Sequence, residues 1–168
     1  MAKNDPKPQS PDQPSPASSI GLFFLKFLGA SLLLYIAYMK FGFVYMNIVA
    51  WGAKPLLGIF GKKLIMENAM RVTEEISLNP AVYLSLLVAV PGMAWRSRIR
   101  PAIIGVAILT AANILTVFLV FMSYYSGNET LWTGTEFFNL TINFFLPILL
   151  WFILVPVKNL LPALNRQA

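Results

Sequence analysis

Cysteine and histidine are both absent, and charge is scarce. The chain therefore lacks the usual thiol nucleophile, the usual general base near neutral pH and the commonest ligands of zinc and other transition metals. It also has no disulfide framework. No cofactor and no metal are expected. Charged residues make up 12% of the chain, against about 25% in soluble domains. What fills the space is hydrophobic, 57% of all residues. Nucleic-acid binding is not expected, because no basic, aromatic-bearing soluble module is present.

Charge is missing in long blocks. Ile76–Trp95, Pro101–Asn128 and Phe137–Val157 carry none, and Ile20–Met39 carries only Lys26. About 20 apolar residues in a helix cross the hydrocarbon core. The sequence thus predicts an all-α, polytopic membrane protein with four transmembrane helices, over about 20–39, 80–95, 101–122 and 137–157. In the first, Gly29, Ala30 and Ser31 form a small-residue patch, Lys26 can snorkel, and Tyr35 and Tyr38 fit an aromatic belt.

The segments between the spans differ in character. Met1–Ser19 is polar and holds five prolines. It reads as a disordered cytoplasmic tail before a retained anchor, not as a signal peptide. Lys40–Asn79 reads as an external segment. Its first part, Phe41–Phe60, is punctuated by Gly42, Gly52, Pro55 and Gly58. It reads as an interfacial or re-entrant amphipathic helix, or as a continuation of the first span beyond the membrane. Lys62–Leu78 is polar, a short helix or a hairpin. Asn79-Pro80 opens the second span, since proline suits a helix's first turn, and Pro91-Gly92 loosens its end. Ser123–Glu136 is turn-rich and reads as a loop.

Orientation follows from the basic residues. Arg96, Arg98 and Arg100 crowd one short connection and belong in the cytoplasm. Cytoplasmic termini then put eight of the thirteen basic residues inside, and five of the seven acids in external segments.

Chemistry is thin. Spans two to four hold no intramembrane acid or base, which argues against a coupled carrier. They do hold Asn113, Asn139 and Asn143 with several hydroxyl side chains. Asn139 and Asn143 are four apart and share a helix face. These amides either pair between helices or ring a polar pocket. Asn128-Glu-Thr and Asn139-Leu-Thr match a glycosylation pattern that matters only in a eukaryotic secretory lumen. Glu67, Glu74, Glu75, Glu129 and Glu136 read as solvated acids, and Ser77 with Lys63 is the one pair from which a nucleophile could be built.

From Asn79 onward the order of parts carries a resemblance. Asn79-Pro80-Ala81-Val82-Tyr83 opens a span, Trp95-Arg96-Ser97-Arg98-Ile99-Arg100 follows, then a span with Gly105 and Asn113, a loop and a last apolar span. This resembles the exosortase H-associated membrane proteins and, more distantly, the closing helices of the exosortase and archaeosortase fold. Exosortases are intramembrane transpeptidases that work with Cys, Arg and His. Here Cys and His are missing, and Thr116 stands where the family has an arginine. The resemblance therefore implies an accessory role without catalysis.

The reading that results is a non-enzymatic accessory or assembly subunit of a bacterial inner-membrane complex, of the protein-sorting kind. A larger membrane protein and the lipid bilayer are its partners. Trp51, Lys54, Phe60, Glu74, Glu75, Tyr124, Tyr125 and Trp132 are the candidate contacts. The alternative is a small subunit of a transport, lipid-handling or cell-envelope elongation complex, for which Asn113, Asn139 and Asn143 would line a cavity. A degenerate transpeptidase is a third.

Overall fold

A computed structural model describes residues 16–155. Of the expected tail over 1–19, residues 1–15 lie outside the described residues, as does the chain after 155, while 16–19 already belong to the first helix. Five helices follow one another: α1 (Pro16–Ile59), α2 (Met66–Ile76), α3 (Asn79–Ala89), α4 (Trp95–Ser126) and α5 (Glu129–Leu154). Three of them, α1, α4 and α5, are long and apolar enough to cross a membrane. The described residues are all-helical, and the chain is an integral membrane protein.

At the expected second span, about 80–95, the helix is shorter than expected. α3 has 11 residues, about 17 Å at 1.5 Å per residue, too short to cross by itself. Val90 leaves the helix, and Gly92 adopts a left-handed φ of 69° that a side chain would resist. The chain reverses there, and α4 begins at Trp95 and runs through Pro101. The arginine cluster is therefore helical, not a loop. The expected loop Ser123–Glu136 shrinks to Gly127 and Asn128. Gly127 takes a left-handed φ of 61°, and the Asn128 side chain accepts from the Thr130 and Leu131 amides at 2.9 and 3.1 Å. That is a helix stop followed at once by an N-cap.

Over Phe41–Ile59, where an interfacial or re-entrant segment is one reading of the sequence, the helix does not break. This stretch continues the first span, as one of the readings had it, in a single helix of 44 residues, about 66 Å long. Two of the three glycines that suggested interruption are packing positions, while Gly58 faces open space. Gly42 lies beneath the Tyr38 ring, and Gly52 lies against Ile114 of α4. Pro55 costs one backbone bond near the end of the helix, where few remain to be lost. Lys62–Leu78 resolves into a short helix, α2, with its turns. Ala69, Thr73 and Ile76 of α2 are buried at helical spacing, while Glu67, Arg71, Glu74 and Glu75 face outward.

α2 and α3 follow one path along α4, interrupted at Ser77 and Leu78. Both of those residues keep right-handed helical dihedrals, so the interruption is a kink. Pro80 causes it: it has no N–H to give the Ile76 carbonyl four residues back. Along this path the order of contacts is antiparallel to α4. Ile76 and Asn79 meet Asn113, Tyr83 meets Gly105 and Pro101, and Val88 and Val90 meet Arg98.

The core has two parts. At the end farther from the arginines, Val49, Ala50, Ala53 and Leu57 of α1 pack on Ala69 and Ile76 of α2 and on Val117 and Phe121 of α4. At the arginine end, Tyr83 and Leu87 of α3 pack with Val90, Met93, Leu109, Leu150 and Val155. The first apolar stretch of α1, by contrast, is not buried at all.

Gly105 makes the closest approach in this second cluster. A Cβ there would overlap the Tyr83 ring, whose hydroxyl donates to the Pro101 carbonyl at 2.7 Å. Tyr83 is fully buried and cannot swing away. Gly105→Ala is expected to lower stability by about 2 kcal/mol through overpacking, read as a lower unfolding midpoint in detergent. The added Tyr83→Ala change should remove the overlap, so the pair should cost less than the two separate losses combined.

Candidate functional site

Between the two apolar clusters lies a polar layer to which all five helices contribute. Asn113 of α4 is its hub and is fully buried. Its amide nitrogen donates to Tyr45 Oη of α1 at 2.8 Å, to Asn79 Oδ1 at 3.1 Å and to the Ile76 carbonyl at 3.4 Å. Its Oδ1 accepts from Asn79 Nδ2 at 2.9 Å. Asn79 reaches on to Asn143 Oδ1 of α5 at 3.3 Å, and Asn143 donates to Asn139 Oδ1 at 2.7 Å. Next to this chain, the Tyr38 hydroxyl of α1 bonds Ser77 Oγ at the kink.

Chemically this layer is a seal. Pro80 leaves the Ile76 carbonyl without its helical donor, and Asn113 supplies one. Inside a bilayer every backbone polar group needs such a partner within the protein. The amides expected on α4 and α5 are thus brought together, and they bond one another. Two members escaped the sequence reading as network residues. Asn79 reads as a helix-start residue because it precedes Pro80, yet its side chain caps nothing and crosses to two other helices. Tyr45 reads as one more interfacial aromatic.

A second seal closes the other end of α3. Arg98 donates from Nε to the Met93 carbonyl at 3.1 Å and from Nη2 to the Val90 and Met93 carbonyls at 2.8 and 2.9 Å. Its Nη1 bonds the Val88 carbonyl. The last carbonyls of a helix have no partner of their own, and one guanidinium serves these. Arg98 is thus more than a topology signal, while Arg96 and Arg100 stay exposed.

The expected partner contacts sit toward the end away from the arginines, on several elements. Trp51 and Lys54 lie together on α1, with the ammonium 4.3 Å from the ring. Phe60 is exposed and stacks on Phe118 of α4. Glu74 and Glu75 are exposed on α2. Tyr125 is partly engaged, since its hydroxyl donates to the Lys63 carbonyl at 2.6 Å and Lys62 lies over its ring. Tyr124 and Trp132 are exposed and border a small apolar cleft with Asn68, Val72, Val120 and Phe121. The Trp132 indole donates to Glu136 at 2.8 Å.

The candidate nucleophile pair does not assemble. Ser77 is buried and spends its hydroxyl on Tyr38 and on the Glu74 carbonyl, while Lys63 is exposed on the α1–α2 connection. Among the described residues no three carboxylates gather around a common point that an ion could fill. Glu67 pairs with Arg71 at 3.1 Å on the outward face of α2. No protein-family model matches the chain, and no curated protein and no solved structure matches it.

Proposed function

We propose that the chain is a non-enzymatic accessory subunit of a bacterial inner-membrane complex, with both termini on the cytoplasmic side and the kinked α2–α3 path making the return crossing between α1 and α4. Its work is to pack against a larger membrane protein and to present the α1–α2 region outside. The resemblance to exosortase H-associated proteins makes a protein-sorting system the first candidate. One observation carries this reading: the amide side chains inside the bundle are spent on one another and on Tyr45, while aromatic and charged side chains at one end remain open. Aromatic anchors beside charged neighbours are the usual centre of a protein interface.

The alternative, a transport or lipid-handling subunit, draws on the kink between α2 and α3. Interrupted helices that end on polar groups mark binding sites in carriers. Against it, the amides at this kink already bond each other.

Capture of the tagged chain from native membranes in mild detergent should bring down a second membrane polypeptide in stoichiometric amount. Trp51→Ala combined with Glu74→Lys should lower that recovery by about tenfold, the effect of losing one interface anchor, with helicity unchanged. Recovery of the chain alone would sink the proposal.

A further inference from the structure

We infer that the start of α4 holds an anionic phospholipid, with its phosphate on Arg96 and Arg100 and an acyl chain along Ile99 and Ile103. The three arginines are not equivalent. Arg98 turns inward and is consumed by the carbonyls of Val88, Val90 and Met93. At about 100° per residue, Arg96 and Arg100 lie on the opposite side of the helix from Arg98. They are four apart, so their guanidinium groups can close on one phosphate. Both are exposed, and no carboxylate pairs with either among the described residues.

Directly along the same outward side runs an apolar ridge. Ile99 is 49% exposed and Ile103 66% exposed, and Trp95 beside them is 71% exposed. Beyond Arg100, α4 carries no further charge. Two cations capping an uncharged apolar ridge, with an indole at the boundary, match the division of a phospholipid into phosphate, interface and chain. A zwitterionic lipid offers the ridge the same chains but brings its own ammonium to the arginines. Charge complementarity therefore selects the anionic class.

Native mass spectrometry of the full chain, released from micelles with equimolar phosphatidylglycerol and phosphatidylcholine, tests this. The retained ratio should favour phosphatidylglycerol by about tenfold, the order expected for two arginines at an anionic surface. Arg96→Gln with Arg100→Gln should bring it close to one, and Lys63→Gln, an exposed cation at the other end of the bundle, should leave it unchanged. Brominated phosphatidylglycerol should quench a fluorescence component that Trp95→Phe removes. A wild-type ratio near one overturns the inference and returns the two arginines to an acidic protein partner. A ratio unaffected by the double change, or lost with Lys63→Gln, overturns it equally.

Discussion

Asn113→Leu is expected to destabilise the protein by about 3 kcal/mol, although leucine matches asparagine in size and suits the membrane better. Hydrogen bonds between membrane helices average only about 0.6 kcal/mol each. Asn113 makes contacts to α1, to the end of α2 and to α3, so loss of these bonds accounts for roughly half of the effect. The remainder is the Ile76 carbonyl. Pro80 cannot serve it, and a buried carbonyl left alone costs about 1–3 kcal/mol. The greater burial of leucine offsets little, because lipid tails are as apolar as the protein interior.

Two companion variants separate these causes. Asn79→Leu shares bonds with Asn113, so the double leucine variant should cost about 1 kcal/mol less than the two single losses combined. Pro80→Ala returns an N–H to the place where Ile76 needs it, and the helical dihedrals of Ser77 and Leu78 allow the bond to form. Added to Asn113→Leu, it should recover about 1 kcal/mol. Unfolding in mixed micelles of rising sodium dodecyl sulfate reads all four variants. If Pro80→Ala gives no recovery, the amide's task is not the orphan carbonyl.

The parts legible in the sequence were those that depend on one element at a time. Uncharged runs located α1, α4 and α5, because span length and apolarity are local properties. Lys62–Leu78 reads as a short helix or a hairpin, since only the fold says that its four charged residues share the outward face and Ala69, Thr73 and Ile76 the inner one. Boundaries failed where a tertiary partner replaced a local signal. Pro101 reads as a helix start, but the helix runs through it to Trp95. Asn79 reads as part of the break that opens a span, but its amide goes to Asn113 and Asn143. The pairing of Asn113 with Asn143 was half legible: their depths were comparable, while the residue that joins them stood in a connection. Nothing local marks Arg98 off from Arg96 and Arg100, because what distinguishes it is the carbonyl cluster that α3 delivers.

That distinction leads to the largest expected effect, a loss of about 4 kcal/mol for Arg98→Ala. Hydrogen bonds from a charged donor contribute about 1.5–3 kcal/mol each, and Arg98 serves three separate carbonyls. The total falls short of three full bonds because the site lies near headgroups, where water can take over part of the load. Lysine keeps the charge but not the fork, so Arg98→Lys should recover less than half of the loss. Arg96→Ala, on the exposed side of the same turn, should stay within about 0.5 kcal/mol of the parent. The same micelle titration measures stability, and hydrogen exchange at the amides of Val90 to Ala94 shows whether the α3–α4 turn loosens first. A topology signal alone makes different predictions: Arg96→Ala and Arg98→Ala should then behave alike, and lysine should substitute fully. Equal behaviour of that kind would end the account of α3 as a half-helix strung between two side chains of α4, with Asn113 sealing its start and Arg98 its finish.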